Sequence, residues 1–109
     1  MSTILGAPNF RNIKLDVTEV TTNYQVLATD FMIAVLDTTA PRTITLPLAS
    51  EIPIGRQFII KDETGGANVN AITVNATAPD NIDGGPGRLI NASRGAIVVV
   101  TRPGGYAMI

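Results

Sequence analysis

The chain has 109 residues, which is the length of one domain, and its net charge of −1 gives no basic patch for nucleic acid or anionic lipid. It contains no His, Cys or Trp, which excludes thiolate metal sites, disulfides and catalysis by a thiol or an imidazole. Only 16% of its residues are charged and 45% are hydrophobic, so we expect another molecule to cover part of its surface.

Residues 1–20 are predicted to form an extended arm, and residues 21–109 a β-domain. The sequence ILGAPNF places a Gly and a Pro within seven residues, which argues against a helix. Fully extended, about 20 residues reach some 65 Å, enough to lie along a partner. A frayed terminus is the alternative. The stretch has neither a secretory signal nor an apolar run long enough to insert into a membrane.

From residue 24 onward, short apolar or alternating runs are separated by turn signals such as Thr-Gly-Gly and Pro-Gly-Gly. LPLASEIPIG has room for one helical turn between its prolines. This pattern predicts an all-β domain, either an antiparallel β-sandwich or a jelly-roll-like barrel. The predicted strands are 24–29, 31–37, 42–48, 56–62, 71–76, 81–83, 87–91, 95–101 and 105–109.

Two of these strands, FMIAVL and AIVVV, are apolar on consecutive positions, so both of their faces are apolar. If Ile97 and Val99 point inward, then Ala96, Val98 and Val100 point outward and need cover. Each such side chain left wet forgoes about 1.5–3 kcal/mol. A neighbouring subunit is the expected cover, and an overlying strand of the same chain is the alternative. The candidate subunit-interface residues are Phe31, Ile33, Val35, Val98 and Val100.

The loops offer no convincing catalytic, cofactor or metal site. KDETGGANVN (61–70) lacks the spacing of a phosphate loop, and we interpret Gly65 and Gly66 as residues of a hairpin turn with positive φ. DNIDGGPG (80–87) has a faint likeness to a calcium loop, but it lacks the EF-hand spacing and the distal Glu. A wide turn is therefore the preferred interpretation, an incidental cation is the alternative, and we expect no enzyme activity.

Several motifs occur in a particular order along the chain. They are Tyr24–Asp30, Thr43–Pro47, Ile59–Gly65, Ala71–Asn75, Asn81–Gly84, Gly95–Val100 and Gly105–Ile109. In sequence and spacing, these motifs resemble a β-structured module of tailed-bacteriophage virion proteins, found in tail fibres, spikes and head fibres. The resemblance implies a trimeric β-structure with no catalytic role. The family often has a Trp near its end, where this chain has Tyr106.

Only some 20 residues precede this module and the chain starts at Met1, so we expect a whole gene product of the capsid decoration, or cement, type. This homotrimer would be made in the bacterial host cytoplasm and would bind the viral major capsid protein in the virion. The alternative is a short tail fibre or spike module that binds a host surface glycan through loops 62–70 and 77–87. The candidate capsid-contact residues of the arm are Ile4, Leu5, Pro8, Phe10, Arg11 and Lys14.

Overall fold

The computed structural model describes residues 15–109. Within this range, ten short strands and one 3-10 helix form two β-sheets. In chain order the strands are β1 (Val17–Val20), β2 (Tyr24–Gln25), β3 (Met32–Val35), β4 (Arg42–Thr45), β5 (Gln57–Asp62), β6 (Ile72–Asn75), β7 (Asn81–Ile82), β8 (Gly87–Ile90), β9 (Ala96–Arg102) and β10 (Gly105–Met108). The 3-10 helix, Ala49–Glu51, is the turn expected between the prolines. The all-β class predicted from the sequence is confirmed.

From β1 to β9, successive strands alternate between the two sheets, and β10 stays in the sheet of β9. The six-stranded sheet has the order β1-β3-β5-β9-β10-β7, and the four-stranded sheet has the order β2-β4-β6-β8. Each connection between β1 and β6 crosses to the other sheet. After two such crossings the chain is back in the first sheet and runs in the same direction as before. Strands β1, β3 and β5 are therefore parallel neighbours, as are β2, β4 and β6.

This winding corrects the expectation of an antiparallel sandwich or jelly roll. In residues 15–109 the antiparallel pairs are β5 with β9, β9 with β10, and β6 with β8, whereas five pairs are parallel. Alternating hydrophobicity fixes which side of a strand is buried but not the direction of its neighbour. The turns therefore lie where the sequence predicted them. Most of them lead the chain from one sheet to the other.

The inner faces of the two sheets share one hydrophobic core. Phe58 and Ile60 of β5 are fully buried, and so are Ile44 of β4 and Val74 of β6. Tyr106 of β10 packs edge-on against Phe58, with 6.4 Å between ring centroids. Strands β5 and β6 bury every second residue, as the alternation in the sequence requires.

One strand lies where the sequence predicted the arm. Val17–Val20 pairs with β3 at the edge of the six-stranded sheet, and Val20 belongs to the core. The β-domain therefore includes residues that the predicted boundary at residue 21 assigned to the arm. The β-branched residues of this stretch, Val17, Thr18 and Val20, are the signal that could have identified it.

Candidate interaction surface

A row of apolar side chains crosses the outer face of the six-stranded sheet. Strand register aligns Val17 of β1 with Met32 of β3, Met32 with Ile59 of β5, and Ile59 with Val98 of β9. The N–H of Ile109 donates to the carbonyl of Val98 at 2.9 Å, which places Ile109 at the end of the same row. We call these five residues the apolar row.

The row is accessible to a partner. Val17 is 56% exposed and Ile109 is 71% exposed, while Met32, Ile59 and Val98 are partly exposed between their neighbours. Directly aligned side chains on one sheet face lie about 5 Å apart, so the row forms a continuous band. Contiguous exposed apolar surface of this kind marks sites of protein interaction.

Small and polar residues flank the apolar row on the same face. On one side, Ala34 lies between Glu19 of β1 and Lys61 of β5 in the aligned register. On the other side, Val100 aligns with Gln57 and with Ala107. An apolar centre with a polar margin is the usual composition of a protein interface.

The predicted interface residues divide into two groups. Val98 and Val100 lie on the outer face, partly exposed, and Ile97 and Val99 face the core, which is the orientation assumed for this strand from its sequence. Phe31, just before β3, is also partly exposed.

Ile33 and Val35 are fully buried within the chain, because their side of β3 faces the core. A partner cannot contact them, so both are core residues. Their outward-facing neighbours on β3 are Met32 and Ala34, of which Met32 joins the apolar row while Ala34 is itself buried. The continuous apolar sequence of this strand concealed which side faced out.

Sequence reasoning missed Val17, Met32 and Ile59 as surface residues. Ile59 follows Phe58 and precedes Ile60, so its place in the alternation with Gln57 and Lys61 is the signal that could have identified it. Val17 was assigned to the arm. These residues form one surface only because the strands align them side by side, and this alignment cannot be deduced from a single sequence.

The outer face of the four-stranded sheet has the opposite character. Gln25, Thr45 and Asn75 align across β2, β4 and β6, and Thr43 aligns with Thr73. Exposed Leu89 of β8 continues this second alignment. Hydroxyl and amide groups thus dominate a face whose strands have the same parallel arrangement.

Loop 62–70 is organised around one buried carboxylate. Oδ1 of Asp62 accepts hydrogen bonds from the N–H and the hydroxyl of Thr64, at 2.8 and 2.7 Å, and from the N–H of Gly65 at 3.2 Å. Oδ2 accepts from the N–H groups of Ala67 and Arg94, at 3.0 and 3.1 Å. Burial alone would raise the pKa of Asp62, but these hydrogen bonds outweigh it and hold the pKa well below its usual range.

Asp62 is therefore a structural anchor that ties the end of β5 to the turn before β9. Gly65 has the predicted positive φ of 85°, whereas Gly66 is not among the residues with positive φ. A Cβ at Gly66 would collide with the hydroxyl of Thr38, so close packing explains that glycine. The loop connects strands of different sheets and is not the predicted hairpin.

The acidic residues of loop 77–87 contact separate parts of the fold. Oδ2 of Asp80 accepts a hydrogen bond from the N–H of Ala49 at 2.7 Å. Asp83 has a φ of 49°, and its Oδ1 accepts from the N–H of Met108 at 3.3 Å. In the part of the chain that the structure describes, no group of three or more acidic side chains could hold a metal ion.

A second buried carboxylate, Asp30, fixes the loop between β2 and β3. It accepts hydrogen bonds from the hydroxyls of Thr18 and Tyr24, at 2.8 and 2.7 Å, and from the N–H of Leu27 at 2.8 Å. Burial raises the pKa of Asp30, but these bonds outweigh burial and lower it, while burial and the Asp30 carboxylate raise the pKa of Tyr24 to about 12. The guanidinium of Arg56 donates to the backbone carbonyl of Asp30. All of these polar groups serve the fold.

The candidate arm residues Ile4, Leu5, Pro8, Phe10, Arg11 and Lys14 lie outside the residues that the structure describes. Among residues 15–109, no helix has the length and apolar character needed to cross a membrane. Comparison with protein-family models and with curated proteins gives no match. The apolar row is therefore the structural observation on which a functional proposal can rest.

Proposed function

We propose that the chain is a structural subunit of a bacteriophage virion that forms a homotrimer and decorates the capsid. The observation that carries this proposal is the apolar row on the outer face of the six-stranded sheet. Its side chains include valine and isoleucine in the middle of strands, where a polar residue would serve the fold equally well. Covering the part of each side chain that is still exposed would stabilise an assembly by about 0.5–2 kcal/mol.

Identical subunits are the proposed cover, because a closed ring repeats one contact by symmetry. The resemblance of the strand motifs to virion modules supports three copies and a place on the particle. The low fraction of charged residues agrees with a surface that is partly covered. In this proposal the arm, residues 1–14, contacts the major capsid protein and the β-domain trimerises above the shell.

The mass of the purified chain in solution tests self-association. We expect about three times the chain mass of 11.5 kDa at micromolar concentration. Val98→Asp places a charge in the apolar row and should give monomers. Leu89→Asp is the matched control, because Leu89 is 56% exposed on the opposite face. A monomeric parent chain, or equal effects of the two variants, would contradict the proposal.

Reconstitution on particles tests the location. Purified chain should bind capsids that lack it, and deletion of residues 2–14 should abolish binding while the trimer persists. This deletion ends before β1, so it leaves the six-stranded sheet intact. Full occupancy by the truncated chain would contradict the assignment of residues 1–14 to capsid contact.

The alternative, a glycan-binding module of a tail fibre or spike, has one favourable feature. An open groove of about 450 Å³ beside β8 is lined by Thr73, Asn75, Pro86, Gly87, Arg88 and Leu89. Against it, Asp62, Thr64, Asp80 and Asp83 of the two candidate loops make contacts within the chain. Adsorption of the chain to host cells, lost in Arg88→Ala, would favour this alternative over capsid decoration.

A further inference from the structure

Strand β1 has the least protected sheet edge in the described part of the chain. The other edge strands are β2, β7 and β8, of which β2 and β7 have only two residues each. β8 follows Pro86, begins with Gly87 and carries the positive charge of Arg88. β1 has four residues, Val17–Val20, without Pro, Gly, Lys or Arg. Proteins use very short strands, prolines and charged side chains, especially Lys, to prevent edge pairing, and of these features β1 has only the charge of Glu19.

The hydrogen-bonding groups on this edge can be identified from the register. The carbonyl of Asp16 accepts from Met32 at 3.1 Å, and the carbonyl of Val20 accepts from Leu36 at 2.8 Å. Backbone groups alternate in direction along a strand, so those of residues 16, 18 and 20 point toward β3. The N–H and C=O groups of Val17 and Glu19 point away from the sheet.

We propose that β1 pairs antiparallel with β1 of a second copy of this chain, with Val17 opposite Val17 across a two-fold axis. Both residues have outward-pointing backbone groups, so they can exchange two hydrogen bonds directly. A register with Glu19 opposite Glu19 places two carboxylates about 5 Å apart and is disfavoured. Pairing through Val17 instead separates these charges and brings two exposed valines together.

The pairing also joins the two apolar rows end to end. Val17 is the first residue of the row, so the aligned order from Val98 through Ile59 and Met32 continues into the partner sheet. The edge contact uses backbone groups, whereas the proposed trimer contact uses side chains of the outer face. Each contact can therefore be present without the other, and the edge contact joins copies that belong to different trimers.

Disulfide cross-linking of single-cysteine variants tests the proposal, because the natural chain has no cysteine. Directly opposed, hydrogen-bonded residues have Cα atoms about 5.5 Å apart, within the range of about 4.4–6.8 Å for a disulfide. In the proposed register the two Glu19 Cα atoms are about 13 Å apart. Under mild oxidation, Val17→Cys should form covalent dimers at least tenfold faster than Glu19→Cys or loop control Val69→Cys, which is 79% exposed.

Two second-site variants separate the edge contact from the face contact. Glu19→Pro removes an N–H that points away from β3 and should slow cross-linking of Val17→Cys at least tenfold. Val98→Asp should leave that cross-linking unchanged while it abolishes the trimer. Cross-linking of Val17→Cys no faster than Val69→Cys, or unaffected by Glu19→Pro, would overturn the edge proposal and leave the trimer proposal standing.

Discussion

The two outer faces of this molecule have the same strand geometry and opposite chemistry. Parallel neighbours align Val17, Met32 and Ile59 on one face, and parallel neighbours align Gln25, Thr45 and Asn75 on the other. Both kinds of row lie over the same buried core. A sheet over this core therefore does not require an apolar outer surface.

Threonine explains how a polar face remains a stable sheet. It is β-branched and suits extended backbone, and its hydroxyl can contact water. The four-stranded sheet uses it at Thr43, Thr45 and Thr73. Valine and isoleucine at the corresponding outer positions of β5 and β9 add apolar surface without improving strand propensity. The proposed contact between subunits would remove them from water.

The largest expected effect is a loss of self-association when apolar residues of the six-stranded sheet are replaced by the threonines typical of the four-stranded sheet. Ile59 and Val98 are directly paired, so Ile59→Thr with Val98→Thr converts the centre of the apolar row while it keeps β-branched side chains. Both side chains are already partly covered, so each subunit would lose about 1–2 kcal/mol of burial and a trimer about 3–6 kcal/mol, which should weaken self-association at least 100-fold. Analytical ultracentrifugation over a concentration series measures this change. An unchanged mass would indicate that the apolar row is not the interface.

A smaller effect is expected from the anchor at the end of β5, the strand that carries Ile59. In Asp62→Asn an amide group would face the N–H donors of Ala67 and Arg94, which would lose their acceptor. We expect the free energy of unfolding to fall by about 2–4 kcal/mol in urea denaturation at pH 7. Asp37→Asn is the control, because Asp37 pairs with Arg42 at the surface and its loss should matter less. Equal effects would contradict the role of Asp62.

Because of Asp62, we also expect the free energy of unfolding to depend on pH. The pKa of Asp62 is lower in the folded chain than in the unfolded chain, so its stabilising contribution is complete above the unfolded value of about 3.9. That contribution decreases as the pH falls below 3.9 toward the folded pKa. The difference in unfolding free energy between the parent chain and Asp62→Asn should therefore shrink in acid. A difference that stays constant from pH 7 to pH 2 would contradict this interpretation.

The smallest expected effect is the reciprocal change on the polar face. Thr43 and Thr73 are aligned, so Thr43→Val with Thr73→Val creates an apolar pair on the four-stranded sheet. In a Val98→Asp background, expected to be monomeric, this pair should raise weak self-association by about tenfold, equivalent to about 1.4 kcal/mol. Light scattering against concentration measures it. No change would show that two valines are too small a patch.

Much of the local structure could be predicted from the sequence. Each predicted strand overlaps an observed one, and in β9 the assumed orientation, with Ile97 and Val99 inward and Val98 outward, is the observed one. β1 was missed because the whole of residues 1–20 was assigned to the arm, although the Gly and Pro that argue against a helix lie well before Val17. On the all-apolar strand β3, Ile33 and Val35 were assigned to an interface although they are buried. Without alternation, a strand gives no information about which of its sides faces out.

By itself, the sequence determined the β class, the places of the turns and the burial of every second residue in alternating strands. These properties depend on backbone preferences and on residues two positions apart. The parallel winding and the alignment of Val17, Met32, Ile59 and Val98 were decided only by the tertiary structure. The position of β1 at the edge of the six-stranded sheet was decided there too. Strand pairing joins residues far apart in the chain, and its register depends on how both sheets fill one shared core.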